Sequence, residues 1–185
     1  MTKELHLNLF KYFALFVKKE ALQGILANPD GSRRPGYAEI VAEMLNSPDT
    51  KVIPGISNYV FSMNEKFVSD KIRGNDNIVL YVEYGALSYN PVVRLGTKQK
   101  LAVYVAYPYS IANNDNLNET LLASETFDAL TAILDTMEAD QGALDFCGNT
   151  KLINFPAEIF PIEESLFYGH SGWMAIFDYE ETNLD

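Results

Sequence analysis

The chain is poor in the residues that carry most covalent and metal chemistry. Its 185 residues include one cysteine, Cys147, and two histidines, His6 and His170. A single thiol excludes an internal disulfide and fits synthesis in a reducing compartment. Cys147 stands in GALDFCGN, with no second Cys and no nearby His, and reads as a bystander thiol. One Cys and two separated His give no zinc-site spacing. His170 adjoins Ser171 in YGHSGW. Adjacency does not make a catalytic pair, because a triad is assembled in space around an orienting acid. That segment reads as a turn, made by Gly169 and Gly172 ahead of a strand.

Cations are scarce too. Lys and Arg total 14 against 25 Asp and Glu, a formal net charge of -11. This balance argues against a protein that grips phosphates, which gains affinity from clustered cations. It is compatible with a surface past which DNA moves without sticking, since carboxylates repel a polyanion. Long apolar runs are missing as well. Within the first 20 residues no uncharged stretch is longer than Tyr12 to Val17, far short of the roughly 18 apolar residues of a membrane span. VKKEAL offers no small-residue cleavage site. The expectation is a chain made in the cytoplasm that does not enter a membrane.

The carboxylates suggest no catalytic centre. Glu163 and Glu164 fall in a loop, and Asp178, Glu180, Glu181 and Asp185 at the chain end. Two-metal and glycosidase chemistry need carboxylates that converge in a cleft, so these read as solvated surface. NDNLN (114–118) lacks the length and terminal Glu of an EF-hand loop. GNDN and LGTKQK are not phosphate-binding loops. No catalytic residue, cofactor site or metal site is expected, and the chain reads as a non-enzyme.

What is present is an ordinary apolar content, 48%, enough for a core without staples. Residues 3–26 read as one amphipathic helix on Leu5, Leu9, Phe13, Phe16 and Val17. NPDGSRRPG (28–36) stops it, and a short helix follows at 37–45. Residues 50–74 are ambiguous between helix and strand, and helix is favoured. NIVLYVEYGAL and KQKLAVYVAYPY read as strands, joined by a protruding hairpin loop over 86–97. A long helix runs from Leu117 to Ala139. Asn116 and Glu119 are placed to form a capping box, and Leu122, Thr126, Leu130, Ile133, Leu134 and Met137 form the buried stripe. TKLINFPAEIF (150–160) and GWMAIFDYEE (172–181) supply two more strands. The predicted fold is α+β: an antiparallel four-stranded sheet, β-β-α-β-β, covered on one face by the long helix. Residues 1–75 form an N-terminal, mainly helical extension and residues 76–185 the core. The Tyr and Phe content exceeds what so small a sheet can hide. Tyr81, Tyr84, Tyr89, Tyr104, Tyr107, Tyr109, Phe160, Phe167 and Tyr168 fall on strands and loops, where aromatic rings serve either core or interface.

From Ile78 to Glu181, the order strand, long hairpin excursion, strand, polar loop, helix and closing strand pair resembles the tail terminator, or tail completion, proteins of tailed bacteriophages. The carrying segments are NIVLYVEYGALSY, KLAVYVAYPY, LNETLLASETFDALTAILDTMEAD and a final strand ending GWMAIFDYEE. The first 75 residues exceed what a compact terminator needs, which leaves room for a related neck protein. The resemblance implies a structural virion protein made in the host bacterial cytoplasm. It would form a hexameric or dodecameric ring at the head–tail junction. Such a ring caps the tail tube, docks it to the head connector on the portal side and lets DNA pass through its lumen. It binds no cofactor. On this reading Tyr89, Arg94, Lys98 and Lys100, on or beside the hairpin arm, would face acidic residues such as Glu180 and Glu181 of the next copy. The rival reading is a small acidic bacterial binding module, an adaptor or immunity-type protein, that masks a basic partner.

Overall fold

The computed structural model describes residues 3–26, 34–73, 76–88, 98–109, 115–142, 157–163 and 167–180. In chain order the elements are α1 (Lys3–Ala14), α2 (Lys19–Leu26), α3 (Tyr37–Asn46), β1 (Ile56–Phe61), α4 (Glu65–Ile72), β2 (Ile78–Ser88), β3 (Lys98–Pro108), α5 (Asn116–Gly142), β4 (Glu158–Ile162) and β5 (His170–Glu180). The result is a mixed α+β fold.

The helix expected over 3–26 is two helices. Leu15, Phe16 and Val17 donate their amides to the carbonyls of Tyr12, Phe13 and Ala14, three residues back. That tight turn ends α1. Tertiary contacts hold it. Phe16 and Val17 are fully buried, and the Phe16 carbonyl accepts the Ile53 amide at 3.0 Å. No Pro or Gly marks the break, because it is imposed by packing.

The ambiguous stretch 50–74 holds both a strand and a helix, so the preference for helix is corrected for its first half. ISNYVF is rich in β-branched and aromatic residues and forms β1. Its register shifts between Ile56 and Asn58, which hides the alternation in the sequence. Asn64 then caps α4, its side-chain oxygen accepting the Phe67 amide at 3.0 Å.

Among the described residues the sheet has five strands, in the order β1-β2-β3-β5-β4. β2, β3, β5 and β4 are the four expected strands, and they pair antiparallel. The fourth is seen over Glu158–Ile162, and residues 150–156 of its expected span lie outside the described residues. β1 runs parallel to β2, so the sheet is mixed, in place of the four antiparallel strands expected. The cause is α4, which returns the chain between two neighbouring strands and so permits parallel pairing. β2 extends to Ser88, past the expected loop start at residue 86.

The sheet is also covered on both faces, where one was expected. On the first face lies the main cluster. It joins Leu9, Phe13 and Phe16 of the N-terminal helices and turn, Leu80, Val82, Leu101, Val103, Val105, Ala175 and Phe177 of the strands, and Leu130, Ile133 and Met137 of α5. The predicted stripe of α5 is therefore the buried one. Its cap differs by one residue. Asp115, which precedes the helix, accepts the Leu117 amide on its side-chain oxygen at 3.0 Å and the Glu119 amide on its carbonyl. The opposite face carries a smaller cluster, in which Val68 and Ile72 of α4 meet Val60, Val79, Tyr81, Ala106, Ile162 and Phe167. Among the described residues no helix is long and apolar enough to cross a membrane.

Candidate protein–protein interface

The residues expected at a subunit contact separate into two groups. Tyr89, Arg94 and Glu181 lie outside the described residues. Lys98, Lys100 and Glu180 lie on the central strand pair. Lys98 is the register partner of Glu180, and Lys100 that of Asp178, within one chain. The Lys100 side chain is exposed.

The outward side of α5 offers a broader surface. Its sequence holds Glu119, Glu125, Asp128, Asp135, Glu138 and Asp140 and not one Lys or Arg. The first five are exposed. Asp140 is the exception: it accepts from Tyr12 Oη and from Lys51 Nζ, each at 2.6 Å, and ties α5 to α1 and to the turn before β1. Among the exposed acids, Leu117 and Leu121 project one turn apart. Phe127 is also exposed and packs edge-on against Trp173, ring centroids 5.1 Å apart. The Trp173 indole N–H donates to the Ala123 carbonyl at 2.8 Å, pinning α5 to β5.

Beside α5 opens a groove of about 340 Å³. Ile53, Pro54, Ile56 and Ile78 form its apolar lining, and Glu125 and Asp128 of α5 stand along it. It stays open because the remaining lining residues are Gly55, Ala129 and Ala132. Gly55 has φ of 96°, and a Cβ there would meet only Ile78 Cδ1, at 3.8 Å.

The opposite side of the sheet carries a stacked aromatic cluster. Tyr104 stacks on Phe167 with a 3° interplanar angle and on Tyr81 at 4.9 Å. Tyr104 Oη donates to Glu83 at 2.9 Å, and Tyr81 Oη to the Ser62 carbonyl. Burial first, and the Glu83 carboxylate second, push both phenols well above the usual tyrosine range. They are neutral donors. Tyr81, Tyr107 and Phe167 are buried, while Tyr84, Tyr104, Tyr109 and Tyr168 are half-buried. Most of the aromatic surplus is therefore core. Exposed apolar side chains on this side are Met63, Phe67 on α4, and Phe160 on edge strand β4.

Sequence reasoning missed Met63, Phe67, Leu117 and Leu121. A usable signal existed for the last two, which fall one helical turn apart on the side of α5 away from Thr126 and Leu130. Among the described residues no group of three or more His, Cys, Asp or Glu is placed to hold a metal ion. The chain matches no protein-family model, no curated protein and no solved structure.

Proposed function

We propose that this chain is a non-enzymatic structural subunit that assembles as a ring at the head–tail junction of a tailed bacteriophage. There it caps the tail and docks it to the connector. The supporting observation is α5, a 27-residue helix whose outward carboxylates have no cation among them. Turned toward a lumen, that side repels DNA, which carries one charge per roughly 1.7 Å of axis. DNA then passes without specific binding. Electron microscopy of the purified full chain, with light scattering across a concentration series, tests the reading. Closed rings with a central channel are the expected result. A monomer at every concentration overturns it.

A second reading is favoured by one further observation. Leu117, Leu121 and Phe127 are exposed among the acids of α5, and an acidic side with apolar points fits a basic amphipathic partner. On that reading the chain is a small acidic binding module. It stays monomeric or dimeric and binds a basic protein with an affinity that falls as salt rises.

A further inference from the structure

We infer that this chain pairs with a second copy of itself through α4, the two helices lying antiparallel about a two-fold axis. The contact uses neither α5 nor its acids, so it stands whether or not a ring forms.

The charges along α4 are self-complementary. The helix runs Glu65, Lys66, Phe67, Val68, Ser69, Asp70, Lys71. Laid antiparallel on its own copy with Val68 at the centre, it sets Lys66 against Asp70 and Glu65 against Lys71, on both sides of the axis. Laid parallel, it would set each charge against its like. Lys66 and Asp70 are the deciding pair. Both are exposed, and they lie one turn apart on the side of α4 away from the buried Val68 and Ile72. Neither has an ion-pair partner among the described residues. Arg73, by contrast, is engaged inside the chain, 5.8 Å from the centre of the Tyr168 ring.

Apolar surface accompanies the charges. Met63 and Phe67 are 57% and 47% exposed and fall three and four residues from Lys66 and Asp70, on the same side of the segment. With Val68 at the centre, the two Phe67 side chains stand two residues apart along the common axis, about 3 Å. Aromatic rings stack at such an offset. Lys71 Nζ, 5.7 Å from the centre of the Phe67 ring, flanks it within the chain. The balance of charge also selects this place. A net charge of -11 repels a second copy from most of the surface, but Glu65, Lys66, Asp70 and Lys71 cancel.

Placement sets the consequence. A contact of α4 with α4 is isologous and closes on itself, so alone it makes a dimer. Between two rings it joins them face to face, and six copies become twelve. α4 and α5 pack on opposite faces of the sheet, so the pairing leaves α5 uncovered.

Two single variants of the full chain test this, Lys66→Glu and Asp70→Lys, with circular dichroism to confirm the fold. Each sets like charges against each other twice in its own pair. Each should weaken self-association roughly tenfold or more, measured by analytical ultracentrifugation. An equal mixture should return the affinity to near that of wild type, because two acids of one variant then meet two lysines of the other. An ion pair within a single helix cannot give that recovery, since each helix still carries its own like charges. If either variant associates as tightly as wild type, or if mixing restores nothing, the pairing is overturned and the ring reading stands. Wild type that stays monomeric at every concentration overturns both. Dimers that never grow into rings support the pairing and overturn the ring reading.

Discussion

The two faces of the sheet are closed to different depths. On the α5 side, Leu80, Val82, Leu101, Val103 and Val105 are fully buried beneath α5 and the N-terminal helices. On the other side, Val79, Tyr81 and Ala106 reach similar burial under α4. Beyond them Tyr104, Met174 and Ile176 are half-buried and Phe160 is exposed. The strands are apolar on both faces in sequence, and among the described residues the face under α5 is the more completely buried.

The largest effect tests how closely the central strands approach. Gly172 on β5 has φ of 146°, and a Cβ there would lie 2.3 Å from the Val105 carbonyl oxygen and 2.8 Å from Ala106 Cα. Only parting β3 from β5 makes room. Gly172→Ala should therefore lose more than about 4 kcal/mol in urea unfolding; a variant with the wild-type midpoint would refute the close approach. Next comes the contrast between the faces. Phe13→Ala on the α5 side should cost about 3–5 kcal/mol, and Ile72→Ala on the buried side of α4 about 2–5 kcal/mol. A cost below about 1 kcal/mol at either site would contradict its burial. Asp140→Ala leaves Tyr12 and Lys51 without this acceptor and should cost about 1–3 kcal/mol.

The open side should also respond to alkali. Tyr81 and Tyr104 are held protonated in the fold, whereas in the unfolded chain they ionise near pH ~10. Below that pH their contribution is fully present. Above it the unfolded chain releases protons that the fold retains, so stability falls as pH rises. Absorbance of tyrosinate, followed with unfolding midpoints from pH 9 upward, should show these two ionising late and the midpoint declining. A flat midpoint would contradict the burial of this cluster. The smallest effect belongs to the surface. Replacing Leu117 and Leu121 by Ser should change stability by less than about 0.5 kcal/mol each, while lowering the binding of a hydrophobic dye. A large loss of stability would show that these side chains are covered within the chain.

The sequence exposes part of this layout and hides part. β2, β3 and β5 are legible from their runs of β-branched and aromatic residues, and the buried stripe of α5 from the spacing of Thr126, Leu130, Ile133, Leu134 and Met137. β1 is not, because its bulge breaks the alternation and α4 follows within a few residues. The division of the first helix is invisible for a different reason. It is set by the Ile53 amide reaching Phe16, a contact from elsewhere in the chain. The candidate interface is legible mainly as charge. The acids of α5 can be counted from the sequence, but the groove depends on Ile53, Ile56 and Ile78 meeting Glu125 and Asp128 in space. The exposure of Phe67 likewise depends on where α4 settles.

β5 pairs with β3 along its whole length and also holds β4, so a late segment of the chain occupies an interior place in the sheet. On the ribosome, β2 and β3 can join as soon as both emerge, but one edge of β3 stays unpaired until residues 170–180 follow. For those seconds of translation the nascent chain carries an adhesive strand that can pair with a neighbour on the same message. A chaperone that shields that edge until β5 pairs would raise the share of chains that mature.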